Sequence, residues 1–144
     1  MAVKANHDIS SGLDTAFINS AINSNLAYRP EFVSNDYTQG KKVSVAIERE
    51  LRHCDAFYIS VAFITEGGLA PLKQVLAELR DKGIPGKILT TSYLTFTEPK
   101  ALKTLADLSN VEVRVYDSTD EGASGFHTKG YIFKEEEIYR FIVG

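Results

Sequence analysis

The sequence predicts an α/β fold, a mixed, mainly parallel β-sheet flanked by helices. Three observations carry that expectation. Residues 56–64 and 87–92 are short apolar runs rich in β-branched and aromatic side chains, and Val111, Val113 and Val115 alternate with Glu112 and Arg114. Two stretches of helical spacing separate these runs, so strand, helix, strand, helix and strand follow one another at lengths suited to parallel crossovers. Two further apolar runs, 126–133 and 138–143, flank Lys134-Glu135-Glu136-Glu137, the pattern of a hairpin that adds an antiparallel pair.

The elements follow in order. Residues 1–12 are small and polar and read as a loosely ordered start. Leu13, Phe17 and Ala21, with Ile18 and Ile22, recur at helical steps, and Asn23-Ser24-Asn25 is the stop. Residues 28–40, rich in Asn, Asp, Ser and Pro, read as loop. Val43, Ile47 and Leu51 form one stripe of a helix over 41–53. The run 56–64 is nearly continuous in apolar residues, which predicts a central strand buried on both faces. Gly67-Gly68 breaks the chain; Leu69, Leu72, Leu76 and Leu79 then give a helical stripe, and Gly83 a stop. After the strand 87–92, Thr97 is placed to cap a helix with Pro99 in its first turn and Leu102, Leu105 and Leu108 on its apolar side. Residues 117–125 read as a polar loop, and no internal repeat is evident.

Composition narrows the class. The chain has 144 residues, 44% hydrophobic and 24% charged, the balance of one globular domain rather than a disordered or fibrous chain. No apolar run approaches the roughly 18 residues of a membrane span, and the first residues lack the apolar core of a signal peptide. A lone cysteine, Cys54, excludes an internal disulfide framework and a multi-cysteine zinc site. Together these predict a cytoplasmic protein that contacts no membrane and needs no cofactor or metal. Sixteen basic and 19 acidic residues give a formal charge of −3, so any nucleic-acid contact must use a local groove.

The segment that carries chemistry is His127-Thr128-Lys129. Residues i and i+2 of a strand project from the same face, roughly 7 Å apart. An imidazole and an ammonium so placed offer a nucleophile or proton carrier beside a cation for a phosphate. Gly125 and Gly130 flank the pair and permit close approach of a ligand. On spacing alone, a solvent-facing strand with one His and one Lys is the better account of the pattern. Thr91, at the end of the second strand, is a second candidate for phosphate contact, because ligands favour the carboxyl ends of parallel strands. Cys54 reads as a small core residue, His53 as a helix-terminal residue that complements the dipole, and Asp117, Asp120 and Glu121 as a solvated acidic loop.

The surroundings of the pair are more specific. Gly125-Phe-His-Thr-Lys-Gly-Tyr-Ile-Phe133, followed by Tyr139-Arg-Phe-Ile-Val-Gly144, resembles the phospholipase D-like superfamily, in which His-x-Lys lies on one strand and a Gly-Ser-x-Asn segment follows the next. The likeness is greatest to the module found at the N-terminus of DEAD/DEAH-type helicases and in related restriction endonucleases. Residues 51–69 look like that module's first helix–strand–helix. On this reading residues 1–26 are an N-terminal extension with a short helix, and 27–144 are a phospholipase D-like domain truncated before its end.

The resemblance implies metal-independent hydrolysis of a DNA phosphodiester through a phosphohistidine, with His127 and Lys129 as catalytic positions. Gly144 opens the phosphate-binding segment that follows the second strand. Two His-x-Lys motifs are needed, yet His7 and His53 lack a Lys two positions on. The second therefore comes from a homodimer partner or a second half-domain. The fragment by itself is expected to be inactive. One departure stands out: the superfamily places an Asp five positions after the Lys, and here that position is Lys134. That favours an alternative, a non-catalytic DNA-binding or dimerisation module of the same fold. A lipid-directed phosphatidyltransferase ranks third.

Overall fold

The computed structural model describes residues 31–36, 38–117 and 126–144. The chain divides into two compact units, Met1–Lys42 and Val43–Gly144. Of the first unit, the described residues form a tight turn. Asp36 and Lys41 exchange backbone hydrogen bonds, and the Asp36 carboxylate accepts from the N–H groups of Thr38 and Gln39 and from the Thr38 hydroxyl. The Thr38 hydroxyl foremost holds that carboxyl below its ordinary range. The helix expected over 13–25 lies outside the described residues.

The second unit is an α/β structure with a five-stranded mixed sheet in the order β3-β2-β1-β4-β5. Its strands are β1 (Ala56–Val61), β2 (Gly86–Thr91), β3 (Val111–Tyr116), β4 (Lys129–Glu135) and β5 (Ile138–Val143). β1, β2 and β3 run parallel; β4 is antiparallel to both β1 and β5. The expected mixture is present, with the parallel strands on one side of the sheet and the hairpin on the other. Among the described residues, no helix is long and apolar enough to cross a membrane.

Four α-helical segments are described: α1 (Val43–His53), α2 (Glu66–Leu69), α3 (Lys73–Asp81) and α4 (Pro99–Ala106). Ile47 and Leu51 of α1, Val75, Leu76 and Leu79 of α3, and Ala101 and Leu105 of α4 share one core with Phe57, Ile59, Val61, Ile88 and Phe133 of the sheet. All five sheet residues lie on one face by register. The other face of β1 stays open at Tyr58, and its neighbour Leu89 on β2 is open too. The expectation of a strand buried on both faces is therefore corrected. β1 is the central strand, but the described helices pack on one of its faces, and Tyr58 and Ser60 alternate onto the other.

Local boundaries follow from hydrogen bonding. Thr65 caps α2 by accepting from the Gly68 N–H at 3.0 Å, so Gly67-Gly68 form the first turn of a helix instead of a break before one. A 3-10 turn with Pro71 leads from α2 into α3. α3 stops at Gly83 as expected: Gly83 has φ 68, its N–H donates to Arg80 O and the Ile84 N–H donates to Leu79 O. Glu98, not Thr97, occupies the N-cap position of α4. The Thr97 hydroxyl is buried and donates to Thr91 O at 2.8 Å, so it is unavailable as a cap. The Glu98 carboxylate instead accepts from the Glu66 N–H, across at α2. Glu50 of α1 is buried yet paired, with Arg49 at 3.0 Å and Arg140 of β5 at 3.6 Å.

Candidate functional site

The site is built by one reversal of direction. β1, β2, β3 and β5 end at the same edge of the sheet, and antiparallel β4 begins there. The chain departs from β1 toward β2 and β3 and returns to pair on the other side of β1. In open α/β sheets this is the position, outside the carboxyl ends of the strands and beside the switch in strand order, where ligands are bound.

His127 precedes β4 rather than lying within it, so the strand expected over 126–133 begins three residues late and runs on to Glu135. Pairing nevertheless continues past the strand's formal start. Val61 is the partner of Lys129, and the Ala62 N–H donates to Thr128 O at 3.2 Å. One step further sets Phe63 opposite His127, and their rings lie 6.4 Å apart. The Thr128 hydroxyl meets Ser60 Oγ at 3.3 Å on the open face. Alternation then carries His127 and Lys129 together onto the face of Val61 and Phe63. Both are exposed, and among the described residues neither side chain makes a hydrogen bond or ion pair.

The other two sequence candidates divide. Gly144 comes to the pair: its N–H donates to Lys129 O at 2.9 Å, extending the β4–β5 ladder by one rung. Thr91 lies at the same edge but faces inward. It is fully buried; its hydroxyl donates to Ala62 O at 2.8 Å and accepts from the Tyr93 N–H at 3.0 Å. That hydroxyl joins the ends of β1 and β2 and supports the loop that follows, and its bonds are all internal.

Lys134, at the position of the superfamily's Asp, pairs with Ala56 and Tyr139. It is five residues from Lys129, so it faces the opposite side of the sheet, roughly 16 Å along the strand. No residue at 134 on this backbone shares a face with His127. Asp117 accepts from Ser92 Oγ at 2.9 Å, which places it at the end of β2 and β3; Asp120 and Glu121 lie outside the described residues. Among the described residues no group of three His, Cys, Asp or Glu is gathered as a metal site. Cys54 is buried, its thiol lies 3.3 Å from Leu51 O, and burial pushes it up to about 11, as befits a core thiol and not a nucleophile. His53 ends α1 with Nδ1 2.7 Å from Arg49 O, an ordinary helix terminus.

Sequence reasoning missed the surroundings of His127. Its ring is 6.5 Å from Tyr93 as well as 6.4 Å from Phe63. Phe96 stands edge-on to both, 5.7 Å from Phe63 and 6.4 Å from Tyr93. Tyr116 and Phe126 form a separate aromatic pair, 5.9 Å apart. The signal was present: Phe63, Tyr93 and Tyr116 end, or closely follow, the three parallel strands. An apolar hollow of about 180 Å³ lies between Val61, Phe63, Leu69, Leu72 and Tyr131. A more polar cleft of about 310 Å³ occupies the opposite edge of the sheet, around Pro85, Gly86 and Asn110, away from the imidazole. No protein-family model matches the chain, and no curated protein matches it.

Proposed function

We propose that the chain is a phospholipase D-like module of a DNA-processing protein of helicase or restriction type, which takes a DNA phosphodiester between His127 and Lys129. One observation supports this above the others: the β1–β4 register brings an exposed imidazole and an exposed ammonium to one face, with Gly144 hydrogen-bonded to Lys129, at the ligand-binding edge of the sheet. The chemistry needs no metal. A ring nitrogen of His127 attacks phosphorus, a P–N bond forms and the P–O bond to one strand breaks. A second imidazole gives that departing oxygen its proton. Water then displaces the imidazole from phosphorus and returns a proton to the second imidazole, while Lys129 neutralises charge on the phosphoryl oxygens. With one His-x-Lys in these 144 residues, the second imidazole comes from a second copy across a two-fold axis or from a second half-domain.

A second reading has its own observation. Lys134 replaces the superfamily's Asp, and its strand position faces away from His127. A module that keeps the phosphate site without cleaving would tolerate that change. End-labelled DNA incubated in EDTA with an assembly that carries both His-x-Lys motifs separates the two. Cleavage that persists in EDTA, disappears in His127→Ala and leaves an acid-labile phosphoryl adduct on the protein supports the enzyme. Binding weakened by Lys129→Ala, with no cleavage by either protein, assigns the non-catalytic role. Turnover of phosphatidyl lipid instead of DNA would overturn both.

A further inference from the structure

The loop after β2 bears two costs with no return in folding. Tyr93, Leu94, Thr95 and Phe96 are four consecutive exposed residues, three of them large and apolar; Leu94 is 60% and Phe96 51% accessible. Within it Leu94 and Thr95 take φ of 47 and 57, left-handed values that are strained for a residue with a Cβ. The loop is nonetheless tightly held. Tyr93 N–H donates to Thr91 Oγ1, Thr95 N–H to Ser92 O, and Phe96 N–H to Tyr93 O. A strained, well-braced loop that presents rings to solvent is the mark of a binding surface.

Its rings stand beside the proposed phosphate site. Phe63 and Tyr93 flank the His127 imidazole at 6.4 and 6.5 Å, about the reach of one sugar from a phosphate to its own base. Charge runs the same way. Glu98, whose N–H donates to Ile64 O next to Phe63, has its carboxylate engaged by the Glu66 N–H, and Glu66 is paired with Lys100 at 2.9 Å, whereas Lys129 has no ion-pair partner among the described residues. A phosphate at Lys129 would thus place adjoining bases over Tyr93 and Phe96. Bases in a duplex present no free face for stacking; unpaired bases do.

We infer that Phe63, Tyr93 and Phe96 form a stacking platform for unpaired bases, so that the substrate held at His127–Lys129 is single-stranded DNA. This rests on the phosphodiester reading above and adds the strandedness of the ligand. Fluorescence anisotropy with a labelled 15-mer tests it, using a single strand, the same sequence as a duplex, and a single strand of abasic sites. The native protein is expected to prefer the single strand over both others. Tyr93→Ala and Phe96→Ala should each weaken single-strand binding roughly five- to 150-fold, the range for loss of one stacked base. Neither should affect the abasic strand, and Phe96→Trp should restore binding. Unchanged melting temperatures show that the variants fold; 5-iodouracil photo-crosslinks to Tyr93 or Phe96 in the native protein give an independent readout. Equal affinity for single strand and duplex, insensitive to the ring substitutions but reduced by Lys129→Ala, would overturn the platform and leave the phosphate site standing. Ring-dependent binding indifferent to Lys129→Ala would do the reverse. Absence of DNA binding would overturn both.

Discussion

The Phe57 ring lies directly over Gly86, its cross-strand neighbour on β2, so that a methyl group at Gly86 would overlap the ring. Phe57 is completely buried at the centre of the sheet and contacts the helices' apolar stripes. Gly86 is used here for space rather than for backbone freedom.

Gly86→Ala is expected to destabilise the protein by about 1–3 kcal/mol, because the ring must leave its rotamer in a close-packed core. Urea unfolding measures it. Adding Phe57→Leu to Gly86→Ala should cost less than the sum of the two single changes, since the smaller side chain vacates the space the methyl needs. Strict additivity would show that the two positions do not meet.

Thr91→Val should cost about 1–3 kcal/mol, because it leaves the Tyr93 N–H without its acceptor and takes from the Ala62 carbonyl the hydroxyl that it accepts from alongside the Thr91 N–H. Thr91→Ser keeps the hydroxyl and should restore most of the loss. Thermal melting of the three proteins checks both statements.

Cys54 gives a pH signature. Its thiol is raised by burial from 9.0 to about 11, so the folded protein holds a proton that the unfolded chain releases first. The stabilisation is complete below pH 9 and is lost as pH rises from about 9 through 11. Tyr131, also raised by burial, acts in the same direction at the upper end of that window. The difference in unfolding free energy between native protein and Cys54→Ala should therefore shrink steadily over pH 9–11. At pH 8 the native thiol should resist alkylation and react only after urea is added.

Much of this arrangement could be read from the residues. Val111, Val113 and Val115 announce β3 by alternation, and Leu69, Leu72, Leu76 and Leu79 mark the helical segments that cover the sheet. The register that sets His127 opposite Phe63 could not be read, because it is fixed by hydrogen bonds between residues more than 60 positions apart, such as Ala62 to Thr128. Thr97 looked like a cap because its neighbours in sequence are a helix start; its hydroxyl is spent on Thr91, which only the fold brings near. The apolar character of residues 56–64 gave no way to tell one covered face from two. The rings around His127 were missed because Phe63, Tyr93 and Phe96 follow different strands and meet only where the fold brings those strand ends together.

The far end of β4 governs the near end. At the hairpin turn Glu136 takes φ 52, and its N–H is held by the Asp55 carboxylate at 2.8 Å while the Asp55 N–H donates to Lys134 O at 2.7 Å. That clamp indexes β4 against β1. A slip of one residue would turn every β4 side chain to the opposite face and deliver Thr128, not His127, to the ring of Phe63. Asp55, about 26 Å away along the strand, thus determines which side of the sheet the imidazole emerges on, without ever approaching it.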